Sequence, residues 1–146
     1  MQLTNVLRDI SEDIDRDRIY LPLEELEEND IKEIELDGTV LRNKNWEPYI
    51  YEYSQRARTY LKEAKCLLPL LPRRARYSPA AMIAFYENIL SKIEKRQGDV
   101  FTERVRLNKA QKIWLAGFVY IKHRFLPKFF TPVWDGLAKI GLLPTV

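Results

Sequence analysis

Apolar residues recur along this chain at three- and four-residue intervals, the spacing of helices that bury one face. The first run sits at the N-terminus. Leu3, Val6, Leu7, Ile10 and Ile14 fall on one side of a helix expected over residues 2–15, and Asn5, Arg8, Asp9, Glu12 and Asp13 fall on the other. A loop with Arg18, Tyr20 and Pro22 follows, then a short acidic helix over 23–29. A further helix is expected to open at Asp30, with Glu33 in the capping-box position, and Asp37-Gly38 reads as a turn. The longest run is Trp46, Tyr49, Ile50, Tyr53, Ala57, Tyr60, Leu61, Ala64, Leu67 and Leu68, a core helix that stops before Pro69. Ser78-Pro79 offers a hydroxyl cap and a proline for the first helical position. The helix predicted there buries Met82, Ile83, Phe85, Tyr86, Ile89, Leu90 and Ile93 and ends near Gly98. Another is expected from Asn108 toward Pro127, and Thr131-Pro132 would cap a last short one ending at Gly141. Strand-like alternation is absent, so the pattern predicts an all-α fold.

Bulk properties narrow the class. With 146 residues, 46% of them hydrophobic, the chain suits one core rather than two domains, and no repeat or linker interrupts it. A net charge of +3 among 31% charged residues is nearly balanced, unlike the clustered basic footprint of a nucleic-acid binder. The single cysteine, Cys66, rules out an internal disulfide and fits a reducing, cytoplasmic compartment. Its place beside apolar positions predicts a buried structural thiol. One histidine, His123, makes a His-based metal site or a Ser-His triad improbable. Neither a signal peptide nor an apolar stretch of about 20 residues is present, so the chain reads as soluble or peripheral at a membrane.

Candidate chemistry lies on the polar face of the first helix. Asp9 and Asp13 stand one turn apart, where like charges cost a few tenths of a kcal/mol. A carboxylate pair with a third acid and an amide beside it suits a hard cation such as Mg²⁺, which takes oxygen ligands and bridges to phosphate. Taken alone, the same face also reads as a solvated acidic surface.

The string Asn5-x-x-Arg8-Asp9-x-x-x-Asp13, preceded by Gln2-Leu3-Thr4 and followed by Arg18-Ile19-Tyr20-Leu21-Pro22, resembles the second aspartate-rich motif of the squalene/phytoene synthases. The family pattern has Gly where this chain has Asp17. Tyr86-Glu-Asn-Ile-Leu and Phe101-Thr-Glu-Arg104-Val resemble the family's penultimate core helix and the arginine-bearing turn after it. Arg106-Leu107-Asn108-Lys109 and Trp114 resemble its presqualene-diphosphate-forming branch. The resemblance implies an all-α isoprenoid-synthase bundle and a Mg²⁺-dependent head-to-head condensation of two prenyl diphosphates. By resemblance Asn5, Asp9 and Asp13 would hold Mg²⁺, and Arg8, Arg18 and Arg104 would contact diphosphate. Tyr20 and Tyr86 would line the cavity near the ionising carbon, and NADPH would enter only if a reductive squalene-forming step followed.

Complete family members carry two such acidic motifs on facing helices. This chain has one; residues 24–28 are acidic but do not resemble it. The expectation is therefore that residues 1–146 are the C-terminal half of a synthase domain, either a truncated gene model or one piece of a split enzyme in which a partner chain supplies the first motif. A non-catalytic module that binds a prenyl diphosphate or a partner is the alternative. From Phe118 onward, Phe125, Phe129, Phe130 and Trp134 alternate with Lys122, Arg124, Lys128 and Lys139. That stretch fits either a membrane interface or completion of the core.

Overall fold

The computed structural model of the protein describes residues 1–32 and 38–125. They form five α-helices with no strand among the described residues: α1 (Gln2–Ile14), α2 (Leu23–Glu28), α3 (Trp46–Leu67), α4 (Arg73–Lys95) and α5 (Lys109–Phe125). Short 3-10 turns at Thr39–Arg42 and Leu68–Leu70 precede and follow α3. The fold is all-α, as the periodicity predicts. Asp30, expected to open a helix, instead closes α2 at positive φ; its capping-box partner Glu33 and the last short helix from Thr131 to Gly141 lie outside the described residues.

Three of the helices stop in the same way. After α1, the N–H groups of Asp17 and Arg18 donate to the carbonyls of Ile14 and Asp13, both at 2.9 Å. After α2, Asp30 and Ile31 donate to Glu27 and Leu26; after α4, Gln97 and Gly98 donate to Glu94 and Ile93. Each pair is a Schellman closure, which satisfies carbonyls left over at a helix end and requires a residue at positive φ. Asp17, Asp30 and Gln97 fill that place, with φ of 55°, 54° and 54°. The position where the family pattern has Gly is thus a left-handed one, which glycine adopts freely and aspartate tolerates.

α4 begins six residues before Pro79, the first helical position that the Ser78-Pro79 signal predicts, leaving Pro79 inside the helix. The start is fixed from Arg76, whose Nε and Nη2 donate to the carbonyls of Leu71 and Pro69 at 2.6 and 2.7 Å. Those bonds draw the turn before α4 against its first turn. Asn108 and Gln111 cap α5 reciprocally: Gln111 N–H donates to Asn108 Oδ1 (2.7 Å) and Asn108 N–H to Gln111 Oε1 (3.1 Å).

The chain divides into two compact units, Met1–Thr59 with Ile89–Arg106, and Tyr60–Asn88 with Leu107–Val146. The core of the first is built on Leu7, Ile10, Leu26, Val40, Trp46, Ile50, Tyr53, Ile89, Leu90, Ile93 and Val105, all buried. The core of the second includes Leu61, Ile83, Ala84, Leu115 and Val119. Several expected core residues are not core. Tyr60 and Leu67 of α3 and Met82 of α4 are exposed. Cys66 is also exposed. It lies nine residues beyond buried Ala57, half a turn around the helix from it. On α1 the fully buried residues are Thr4, Leu7 and Ile10, whereas Leu3, Val6 and Ile14 are half-buried.

Candidate functional site

α1 places Asn5, Asp9 and Asp13 on successive turns of one face, opposite the buried Leu7 stripe. It carries no acid in its first turn and no base in its last. Asp9, Glu12 and Asp13 therefore crowd toward the negative end of the helix dipole, an arrangement that costs helix stability unless cations answer it.

Two arginines answer it at Asp9. Arg8 Nε donates to Asp9 Oδ1 at 2.9 Å, and its Nη2 engages Oδ2. Arg104, 95 residues further along, donates from Nη2 to Asp9 Oδ1 at 2.8 Å. Its Nη1 pairs with Glu12 Oε1 at 2.6 Å. Burial pushes the Asp9 carboxyl up, but Arg8 and then Arg104 outweigh it and hold the group below its ordinary range. Asp9 is an anion clasped by two guanidinium groups.

The loop that carries Arg104 is tied down on both sides. Asp99 Oδ1 accepts the N–H groups of Phe101 (3.1 Å) and Thr102 (2.9 Å), and the Phe101 ring packs 5.8 Å from that of Trp46. Arg96 donates to the carbonyl of Glu103 (2.9 Å) and pairs with its carboxylate (3.0 Å). Lys92 Nζ donates to Arg106 O at 2.7 Å, and Val105 is fully buried. The backbone at Arg104 is fixed, so its side chain reaches α1 from a rigid base.

The other expected residues are placed less completely. Arg18 is exposed, its backbone bonded to Asp13 and its side chain without an ion pair among the described residues. Tyr20 is 55% exposed. Arg18 and Tyr20 border a depression with Val6, Ile10, Asp13 and Ile14 whose volume is about 10 Å³. That barely admits one water molecule, so it is not a substrate cavity. Tyr86 belongs to the second unit, half-buried, its ring edge-on to Phe85 at 5.7 Å.

Comparison with known proteins bears on this arrangement. Residues 1–111 match the squalene/phytoene synthase family model. The chain belongs to the squalene/phytoene synthase family. It is 34% identical over 125 residues to a 15-cis-phytoene synthase of Synechocystis, covering 86% of this chain and 37% of that protein. It is 38% identical over 112 residues to a chloroplastic phytoene synthase 2 of rice (77% and 28%), and 31% identical over 131 residues to a chloroplastic phytoene synthase of an Oncidium hybrid (90% and 32%). The chain spans about a third of the length of the curated relatives it matches. No solved structure matches it.

For a family whose resemblance implies Mg²⁺, the donor set on α1 fits in kind. Asn5 Oδ1 is buried and accepts no hydrogen bond, and Asp13 makes no ion pair among the described residues. Both are oxygen donors, as a hard cation requires. No group of three or more His, Cys, Asp or Glu side chains converges as a cage among the described residues. Glu12, the third acid of the polar face, is the partner that the residues implied by the family resemblance leave out. Its signal was its place three residues after Asp9, on the same polar face.

Proposed function

We propose that this chain supplies the diphosphate-binding half of a phytoene-synthase-type prenyltransferase, which joins two prenyl diphosphates head to head. The observation that carries the reading is Arg104, brought from a loop 95 residues away onto Asp9. An arginine loop aimed at an acidic helix face has the two components a metal diphosphate requires, carboxylates for cations and guanidinium for phosphate oxygens.

In this reading Asn5, Asp9 and Asp13 hold Mg²⁺, and Arg8, Arg18 and Arg104 receive the diphosphate. The cation, once bound, neutralises the leaving diphosphate. The allylic C–O bond breaks with its electron pair going to the diphosphate, the double bond of the second substrate captures the carbon, and the charge then left on the second substrate is discharged by loss of a proton to the released diphosphate or to water. Tyr20 and Tyr86 are the aromatic rings that the family resemblance assigns to the developing positive charge. The matched relatives are phytoene synthases, so the proposal includes no reductive step and no NADPH. A single acidic motif leaves half of the cation ligands unsupplied. We therefore read the chain as one incomplete domain whose first motif comes from another chain or segment. A reducing compartment such as the cytoplasm suits its single thiol, although the plant relatives are named chloroplastic.

A second partner is favoured by α5, on which Ile113, Trp114, Tyr120 and Ile121 are exposed. The helix carries Lys109, Lys112, Lys122 and Arg124 and no acid. We include peripheral contact with an anionic lipid surface in the proposal on that charge pattern. Among the described residues no helix is long and apolar enough to cross a membrane.

Titration calorimetry with a non-hydrolysable prenyl thiodiphosphate tests the function. Binding should require Mg²⁺ and weaken in Asp9→Asn and Asp13→Asn while helix content is kept. Equal affinity with and without Mg²⁺ in all three proteins would return α1 to a solvated acidic face. Product formed when a chain carrying the first motif is added would separate an enzyme from a binding module.

A further inference from the structure

We propose that Glu12 is a positioning residue, which keeps Arg104 in the site while its guanidinium passes from Asp9 to an incoming diphosphate. The inference rests on the diphosphate-binding reading above.

Arg104 divides its fork between two carboxylates, Nη1 to Glu12 Oε1 at 2.6 Å and Nη2 to Asp9 Oδ1 at 2.8 Å. The two contacts differ in standing. Asp9 already has a partner in Arg8, which engages both of its oxygens. Glu12 has no other ion pair among the described residues, and Arg104 is the cation that holds it. The Asp9 contact is thus redundant for Asp9, and in the proposal it is the one that a cation arriving at Asp9 displaces. The Glu12 contact is not in that path. An arginine with one terminal nitrogen still pinned keeps its side chain ordered, and the remaining N–H donors of its five stay free to turn toward phosphate oxygens. A long side chain freed from both carboxylates would instead have to be reordered from many rotamers. The side chain of Arg104 is 35% exposed, so solvent-side ligand can reach it.

The proposal predicts a sign that simple electrostatics does not. Removing a carboxylate beside an anion site should tighten diphosphate binding by reducing repulsion. If Glu12 positions Arg104, its removal weakens binding instead. A carboxylate that ligated the cation directly would also weaken binding when removed, but it would do so whether or not Arg104 was present.

A double-mutant cycle on Glu12→Gln and Arg104→Met separates these cases, with inorganic diphosphate as the probe at fixed Mg²⁺ and calorimetry as the readout. Glu12→Gln should weaken binding about five- to tenfold in the wild-type background and leave it unchanged in Arg104→Met, the coupling expected of two members of one network. Glu12→Asp keeps the charge and should recover part of the loss. Helix content and melting temperature establish that each variant folds; should Glu12→Gln fail, Glu12→Asp is read in both backgrounds for the same sign. Unchanged or tighter binding by Glu12→Gln overturns the proposal, as does equal weakening in both backgrounds. Wild-type protein that does not bind Mg²⁺-diphosphate overturns the parent reading and this one with it. A silent Glu12→Gln in a wild type that does bind overturns this one alone.

Discussion

Gly98→Ala should be among the most damaging single-methyl additions in the chain. Gly98 stands just past α4 at φ +78°, where an added Cβ would lie 3.1 Å from Trp46 Nε1 and 3.2 Å from Ile50 Cβ and Cγ1. The left-handed backbone costs an alanine roughly 1–2 kcal/mol. The contacts are backed by rigid neighbours, since Trp46 and Ile50 are each 1% exposed, and overpacking there adds about 1–3 kcal/mol. Relief by moving Trp46 would strain the buried bond that its Nε1–H donates to Gly98 O at 3.0 Å. The combined loss is about 2–4 kcal/mol, allowing for shared relaxation, out of the roughly 5–15 kcal/mol of a typical domain. In a chain of this size that lowers the melting temperature by about 5–15 °C, read by far-UV circular dichroism. Gly117→Ala is the internal control: nothing lies within 4 Å of a Cβ there, in the middle of α5, so it should stabilise by about 1 kcal/mol. Because Gly98 sits at the root of the Arg104 loop, Gly98→Ala should also weaken Mg²⁺-diphosphate binding. A Gly98→Ala protein that melts with wild type would refute the reasoning.

Asp17→Gly should raise stability by about 1 kcal/mol in urea unfolding, since the position has φ 55° and glycine adopts it without strain; a loss of stability would contradict the Schellman reading. Glu94 is raised by burial but lowered further by Arg58 and Ser54, which donate to it at 2.7–2.8 Å, so its folded value lies below the ordinary 4.5. Its contribution is therefore complete above about pH 4.5 and lost as pH falls through the folded value; urea midpoints of wild type and Glu94→Gln should converge on acidification, and parallel curves would contradict this. Replacing Trp114 and Ile121 of α5 with Ser should abolish salt-sensitive binding to anionic liposomes and leave diphosphate binding intact; wild type that ignores such liposomes at low salt ends the lipid proposal.

The helices were legible because their signals are local. α1, α3 and α5 begin and end within a residue or two of the pattern's expectation, and the Asn108–Gln111 cap is written in four consecutive residues. The start of α4 was not, because Arg76 binding back to Leu71 and Pro69 leaves no periodic mark. Burial was legible only where cover is continuous. Tyr60 and Leu67 keep the helical spacing of a core stripe yet are exposed, since spacing records which residues share a face and not whether anything lies against it. At the site, Asp9 and Arg104 were legible through family resemblance, whereas the Glu12–Arg104 pair required the loop geometry that joins positions 92 residues apart.

The α1 face of Asn5, Asp9 and Asp13 is proposed to take a divalent cation together with diphosphate. Mn²⁺ accepts the same oxygen donors as Mg²⁺ and broadens nearby resonances. Amide spectra recorded as Mn²⁺ is added with inorganic diphosphate locate the ion on the chain. Broadening should appear first at Asn5, Asp9 and Asp13 and at Arg104, and be lost in Asp9→Asn. Broadening that begins at the acidic residues 24–28, or spreads evenly over all carboxylates, would contradict the account.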